Sequence, residues 1–292
     1  LTTICVIQAR MGSTRLPGKV LMDLDGHTVL AWVIRACKSA SLVDRVVVVT
    51  STEKRDDAIK ELCNRLVCPC IRGDENDVLG RFQLVAKCYP TDNVFIRITA
   101  DEPFVDPVII NSVLHKREIT NADYCSNVHP RTFPDGLDVE CFTRKALNIT
   151  YEKATRIIDR ECVTSWMVRH PEYITTANVN SGYPDFKRER WVLDAPEDYT
   201  FCTQITTKWP WYKGPPNFFD ILKILLDNPE LRNINKHLGI NERFLSALDD
   251  EIIDLKEKIS NSLDAPKATE NIDQLIQLRI EEHYRNHTKQ FQ

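Results

Sequence analysis

No apolar run in this 292-residue sequence reaches the roughly 18 residues that a membrane-spanning helix requires, so no span is expected. The first apolar stretch, residues 4–7, ends at Gln8 and meets Arg10 almost at once. It lacks the charged leader and longer apolar region of a signal peptide, which makes a cytoplasmic location the expectation. Basic charge is not in surplus either. Lys and Arg number 38 against 42 Asp and Glu, for a formal net charge of -4, which argues against coating nucleic acid and leaves room only for a local basic cleft. No C-x-x-C knuckle is present: the ten cysteines are scattered, and Cys68 and Cys70 flank a proline. Packed, reduced thiols are expected there in place of zinc. Internal repeats and low-complexity tracts are also missing. What remains is an ordinary globular composition, 42% hydrophobic and 27% charged, long enough to bury a core as one large domain or as a main domain with an appendage.

The order of apolar patterns gives the fold class. Residues 3–7 favour a strand, followed by a Gly/Pro-punctuated loop to Gly18 and an Asp25-Gly26 turn. Leu30, Val33, Ile34 and Cys37 recur with the spacing of one buried helical face, as do Ile59, Leu62, Cys63 and Leu66, and then Val78, Phe82 and Val85. Between these helices lie the β-branched run 46–49, a short strand at Ile71 and a strand over 94–98. Such alternation predicts an α/β fold, a mostly parallel, Rossmann-like sheet joined by helical crossovers. Ligands then bind beyond the carboxyl ends of the strands, so the segments after Ile7, Val49, Ile71 and Ile98 should meet at one cleft. Further along, 137–142 reads as a strand, 144–154 as a helix and 190–193 again as a strand. Asp194-Ala195-Pro196-Glu197-Asp198 opens a helix with proline and acids in its first turn. Beyond Pro215-Pro216 the pattern is helical. Leu245, Leu248, Ile252, Leu255 and Ile259 keep a 3-4 spacing too short for a coiled coil, which suggests a helix packing on the main domain ahead of the alternative, a subunit contact. The expected organisation is a catalytic domain over 1–235 with a helical C-terminal extension over 236–292.

Two segments carry recognisable chemistry. The loop Arg10-Met11-Gly12-Ser13-Thr14-Arg15-Leu16-Pro17-Gly18-Lys19 sets three cations beside glycines whose backbone N–H groups an anion can approach. At the carboxyl edge of a sheet this favours a polyphosphate. It is not a P-loop, because five residues separate Gly12 from Gly18 and Val20 stands where a magnesium-binding Ser or Thr belongs; nor is it a G-x-G-x-x-G turn. The strand over 94–98 ends in Asp101-Glu102-Pro103. Asp101 lies too far upstream to cap the helix starting near Asp106, and a metal ligand fits it better. Magnesium takes one or two carboxylates plus phosphate oxygens, and Asp194, at another strand end, is the natural partner. By itself Asp194 serves nearly as well as a helix cap; the basic loop tips the reading toward a shared metal.

These residues resemble a known family. Ile7-Gln8-Ala9-Arg10-Met11-Gly12-Ser13-Thr14-Arg15-Leu16-Pro17-Gly18-Lys19 is similar to the opening motif of the cytidylyltransferases, which include CMP-ketodeoxyoctonate synthetases, CMP-sialate synthetases and the spore coat polysaccharide biosynthesis protein F group. The F-type pattern is the nearest. Arg72-Gly73-Asp74-Glu75-Asn76-Asp77-Val78-Leu79-Gly80-Arg81, Asp101-Glu102-Pro103, Gly136-Leu137-Asp138-Val139-Glu140, Asp159-Arg160-Glu161 and Asp194-Ala195-Pro196-Glu197-Asp198 match further motifs in the expected order. The resemblance implies a nucleotide-diphospho-sugar transferase fold, usually dimeric, that moves CMP from CTP to an acidic small molecule and releases pyrophosphate. It implies that Arg10 and Lys19, with Arg15 nearby, hold the triphosphate and that Asp101 and Asp194 bind Mg2+. Ala9, Met11, Gly12 and Ser13 belong to the same nucleotide loop. Thr50, Ser51, Gly73, Asp77, Val78 and Arg81 would border base and ribose, and residues 136–140 with Arg160 and Glu161 would face the acceptor. Two features depart from the pattern: Cys162 stands where His commonly follows Arg-Glu, and the region beyond 235 exceeds the compact core.

Elementary chemistry agrees with that set. Nucleotidyl transfer needs charge neutralisation on a polyphosphate and in-line placement of the attacking oxygen, with little covalent help. Near the acceptor segments, Arg131, Arg160, Lys187, Arg188 and Arg190 outnumber the candidate bases His129 and His170. An anionic acceptor is therefore expected, an ulosonic acid or a phosphonate or phosphate, with Arg131, Asp138, Glu140, Arg160 and Glu161 as its contacts. The competing readings are a nucleotide-sugar glycosyltransferase, which would show Asp-x-Asp where this chain has Asp101-Glu102-Pro103, and a non-catalytic nucleotide-binding protein.

Overall fold

All six residues of β1 (Thr3–Gln8) are buried, as an apolar run in a sheet covered on both faces must be. In the computed structural model, which describes residues 2–182 and 186–239, this strand is an inner strand of the main sheet, third from one edge. A short hairpin, β2 (Asp23–Leu24) and β3 (His27–Thr28), leads into α1 (Val29–Ser39), β4 (Arg45–Ser51), α2 (Asp57–Arg65), β5 (Cys70–Gly73), α3 (Val78–Cys88), β6 (Val94–Thr99) and α4 (Pro107–Thr120). The second half contributes β7 (Tyr124–Ser126), β8 (Glu140–Thr143), α5 (Arg144–Lys153), α6 (Ile157–Cys162), α7 (Ser165–Arg169), β9 (Thr176–Asn178), α8 (Pro196–Lys208) and α9 (Phe218–Asp227).

The main sheet runs β5-β4-β1-β6-β8-β7-β9. β1 pairs parallel with β4 and β6, β4 with β5, and β7 with β9; only β8 runs antiparallel to its neighbours β6 and β7. The expected mostly parallel α/β sheet is thus present. Strand residues alternate between faces, and the core divides accordingly. Cys5 and Ile7 of β1, with Val46 and Val48 of β4, pack with Trp32 and Val33 of α1 and Phe201 of α8. Ile4, Val6, Val47 and Val49 pack on the opposite face with Phe82 of α3 and Leu147 of α5. From β1 the chain moves outward to β4 and β5, then returns to β6 on the other side. That reversal opens a crevice at the carboxyl ends of β1 and β6, where ligands of such sheets bind.

Two expected strands come out shorter. The segment 137–142 becomes a strand only from Glu140, because the Asn127 side chain takes the place of a neighbouring strand: its Nδ2 donates to Leu137 O at 2.7 Å and its Oδ1 accepts from Val139 N at 2.8 Å. Segment 190–193 makes one isolated bridge, between Asp135 and Arg190. Trp191 N donates to Asp135 O and Leu193 N to Asp101 O, but Asp101 lies in a turn and the chain turns at Gly136 directly after Asp135, so no ladder forms. Gly136 owes its identity to this crossing. Its φ is 105°, and a Cβ would lie 2.4 Å from Val192 N. No helix among the described residues is long and apolar enough to cross a membrane. The C-terminal extension expected from 236 onward, with its spaced residues Leu245 to Ile259, lies outside the described residues beyond 239.

Asp198 joins the start of α8 to the sheet edge. Fully buried, it accepts two bonds from Arg190, at 2.9 and 2.8 Å, one from Asn235 Nδ2 at 2.9 Å, and the backbone N–H groups of Asp194 and Ala195. Removing it strands the Arg190 guanidinium, so Asp198→Ala should cost about 3–5 kcal/mol in urea unfolding. Gly136→Ala should cost about 1–3 kcal/mol from the backbone conformation alone, measured the same way. Next to this pair, burial pushes the Asp135 carboxyl up to about 6, against the opposing pull of Arg131 and Arg190. An unfolded Asp titrates near about 3.9, so between about pH 4 and about pH 6 the native state holds a proton that the unfolded chain has released, and this site's contribution falls as pH rises through that window. The stability change from about pH 4.5 to about pH 7.5 should accordingly be shifted upward in Asp135→Asn relative to wild type.

Candidate active site

The loop that leaves β1 is folded on itself before it reaches the crevice. Ser13 N and Gly18 N both donate to Met11 O, at 3.0 and 3.1 Å, and Gly18 turns with a φ of 73° into the single turn Lys19–Leu21. That turn sends Lys19 inward, where the residue is only 6% exposed. Its Nζ donates to Asp101 Oδ2 at 2.5 Å and also to Asp194 Oδ1. Arg15 Nη2 reaches the other oxygen of Asp194 at 2.6 Å.

The two acids meet for backbone reasons. Ala100 N donates to Gln8 O at 3.0 Å, which holds the end of β6 beside the end of β1, and Leu193 N donates to Asp101 O at 2.8 Å, which brings Asp194 alongside. Neither acid caps a helix. Asp106 caps α4 through Val108 N, Ala195 occupies the cap position of α8, and Asp198 takes the N–H groups of Asp194 and Ala195. The side chains of Asp101 and Asp194 are thereby left to face Lys19. Among the described residues there is no cluster of three or more His, Cys, Asp or Glu that could hold a metal by itself. Two nearly buried carboxylates that share one cation suit a hard divalent ion whose remaining ligands are phosphate oxygens and water.

The residues expected along the nucleotide border fall into two groups. Thr50 and Ser51 are fully buried at the end of β4, and their hydroxyls donate to the Asp56 carboxylate, Thr50 Oγ1 at 3.1 Å and Ser51 Oγ at 2.5 Å. Asp56 also accepts Met11 N at 2.8 Å, so Ala9 to Ser13 and the end of β4 are tied through it. At the next strand end, a Cβ on Gly73 would lie 2.8 Å from Cγ of the buried Arg81. Asp77 caps α3 by accepting Gly80 N at 2.8 Å and also receives Arg160, whose guanidinium stacks 4.6 Å over Tyr151. Val78 is buried in the first turn of α3.

The residues expected at the acceptor are engaged with other side chains of the protein. Arg131 holds Asp138 through both guanidinium nitrogens, Nη2 to Oδ2 at 2.5 Å. Glu161, one residue after Arg160 on α6, lies 3.4 Å from Arg10. Consecutive residues of α6 therefore contact Asp77 and Arg10, both from the expected nucleotide half. Glu140 is buried and accepts from Arg97, from Tyr124 OH at 2.6 Å and from Thr164 Oγ1 at 2.7 Å. Burial works to raise its pKa, but Arg97 and these donors hold the carboxyl below its usual range. His170 pairs with Glu172 and stacks on Trp166, in a cluster with Tyr173.

Sequence reasoning passed over Asp56, Asp198 and Glu102. Asp56 ahead of α2 reads as a cap and Asp198 as an acid in the first turn of α8, so nothing in the chain marked either as a cross-link. Glu102 was visible as the second acid after β6. It is buried, its Oε1 accepts from Thr99 at 2.7 Å, and its Oε2 has no hydrogen-bond partner among the described residues. Burial first, then Asp138 and Asp101, push its pKa well above the usual range.

This arrangement has counterparts in known proteins. A family model described as cytidylyltransferase matches residues 4–237. An uncharacterized protein of Methanocaldococcus jannaschii is 32% identical over 238 residues, covering 80% of this chain and 95% of that one. The spore coat polysaccharide biosynthesis protein SpsF of Bacillus subtilis is 31% identical over 202 residues, covering 66% of this chain and 82% of that one. Among solved structures, a cytidylyltransferase from Leptospira borgpetersenii aligns with a TM-score of 0.74 at 26% identity, covering 79% of this chain and 96% of that one. Since the family model spans nearly all of the sheet, the loop and both acids, this chain belongs to the cytidylyltransferase family and is a CTP-using enzyme.

Proposed function

We propose that the enzyme transfers CMP from CTP to an anionic small molecule, an ulosonic acid or a phosphonate or phosphate, in a Mg2+-dependent step that activates a precursor of a surface glycan or glycolipid. The observation that carries this reading is the junction of Asp101, Asp194 and Lys19 beside a loop with two further arginines. In this reading Arg10, Arg15 and Lys19 bind the triphosphate, exchanging their present carboxylate partners for phosphate oxygens. Mg2+ held by Asp101 and Asp194 would neutralise charge on the phosphate oxygens. An acceptor oxygen attacks the α-phosphorus, the bond from that phosphorus to the oxygen bridging to the β-phosphate breaks, and pyrophosphate leaves against the cationic loop. A phosphonate or phosphate oxygen attacks as an anion already, whereas a sugar hydroxyl must lose its proton.

The acceptor would lie near Arg131, Asp138, Glu140, Arg160 and Glu161. Because Arg131 and Arg160 hold carboxylates of the protein itself, an acceptor anion would take the place of one of these acids. Residues 1–235 would carry the chemistry. A cytoplasmic location, read from the apolar pattern of the sequence, and a homodimer, which the family resemblance implies, belong to the same proposal.

The test is pyrophosphate release by the purified protein with Mg2+, crossing the common nucleoside triphosphates with sialate-type, octulosonate-type and phosphonate acceptors. CTP with at least one anionic acceptor should give turnover, and no release with any anionic acceptor would defeat the proposal. Asp101→Asn and Lys19→Met should each lower kcat by roughly 10²–10³-fold while circular dichroism shows a folded chain. Chelating divalent metal should abolish turnover, and added Mg2+ should restore it.

A further inference from the structure

We propose that Asp56 is a positioning residue for the nucleotide: its carboxylate sets the backbone of Met11 and Gly12 so that the Gly12 N–H faces the bound triphosphate. The proposal rests on the reading of this loop as the nucleotide site. Asp56 ends the turn Lys54–Asp56 and directly precedes α2, a position where Asp ordinarily caps its own helix. Here its side chain makes no such bond. It is fully buried and turned the other way, toward the ends of two neighbouring parallel strands. Oδ1 accepts Met11 N at 2.8 Å, across 45 positions of sequence. Oδ2 accepts Ser51 N at 3.2 Å, Ser51 Oγ at 2.5 Å and Thr50 Oγ1 at 3.1 Å.

A buried carboxylate with four donors is a rigid anchor, because each bond to an ionised acceptor is stronger than a neutral one and moving the group would strand several donors at once. What it anchors is specific. Met11 N–H is consumed and Ser13 N–H is turned back onto Met11 O, while nothing among the described residues accepts from the Gly12 N–H between them. The same turn closes the other side of that glycine. Arg55, paired with Glu75, would lie 3.1 Å from a Cβ on Gly12, as would the Glu75 carboxylate. Gly12 is thus held between Asp56 and Arg55, consecutive residues of one turn, with its N–H left over for an anion. Thr50 and Ser51 take a new part as well. Their hydroxyls serve Asp56, so their side chains act on the nucleotide through it.

Asp56→Asn keeps the shape but removes the charge and one of the two acceptor oxygens. It should raise the CTP dissociation constant, measured calorimetrically, and the KM for CTP by roughly tenfold, with kcat at saturating CTP and the KM for the acceptor within about twofold. Ser51→Ala and Thr50→Val each remove one donor from Asp56 but leave the Met11 bond in place, so each should raise the CTP dissociation constant by less than Asp56→Asn does. A merely structural role would lower the melting temperature or kcat without this separation of KM values. Wild-type affinity for CTP in folded Asp56→Asn overturns the proposal, as does full loss of affinity in Ser51→Ala or Thr50→Val. If Asp56→Asn does not fold, Gly12→Ala decides, since its Cβ displaces the same loop with Asp56 intact; unchanged CTP affinity there overturns the proposal. Failure of the wild-type protein itself to bind CTP would instead remove the nucleotide-loop reading beneath it.

Discussion

One ammonium group joins three distant parts of the chain. Lys19 follows β1, Asp101 follows β6 and Asp194 precedes α8, yet the first donates to both of the others in a nearly solvent-free place. A lysine buried alone would be driven neutral, and two carboxylates buried together would repel. Each makes the presence of the others tolerable. Desolvation offsets much of the Coulomb gain in such a cluster, so its contribution to stability is modest, but removing one member leaves an uncompensated charge. The cluster therefore constrains geometry more than it adds stability, and the strand ends around it are set accordingly.

The surrounding structure is organised to keep that cluster in place. Backbone bonds from Ala100 to Gln8 and from Leu193 to Asp101 bring the segments alongside, and Asp198 with Arg190 braces the start of α8 from behind. Asp56 does the equivalent work for the loop on the far side of β1. In both cases a buried acid at the start of a helix cross-links segments: Asp56 makes no cap bond of its own, while Asp198 also accepts the Ala195 N–H at the cap of α8. α6 adds a third connection, since Arg160 and Glu161 reach Asp77 and Arg10. The start of α3 and the loop after β1 are in this way linked by two adjacent residues of one short helix.

Much of the fold was legible because it depends on short-range pattern. The apolar runs over 3–7 and 46–49 and the 3-4 spacing of Leu30, Val33, Ile34 and Cys37 act through strand and helix periodicity alone, and β1, β4 and α1 stand where those patterns put them. Segments 137–142 and 190–193 carry β propensity along their whole length, but propensity says nothing about which neighbour will supply hydrogen bonds. Asn127, the isolated bridge at Asp135 and the turn at Asp101 supply them instead. The cations chosen as an acceptor surface show the same boundary. Arg131, Arg160 and Arg190 were visible as positive charge, while their partners Asp138, Asp77 and Asp198 are assigned by packing.

By itself, the sequence determined the alternation of strands and helices, the basic loop after the first strand and the presence of acids at strand ends, because each follows from residue types a few positions apart. Only the tertiary structure decided that Asp101 and Asp194 share Lys19, that Asp56 binds across the fold instead of capping its helix, that Asp198 ties Arg190 and Asn235 to the first turn of α8, and that Glu102 lies buried with one oxygen unpartnered among the described residues. Those outcomes depend on which segments become neighbours and how far water is excluded between them, and neither quantity is written in any local stretch of the chain.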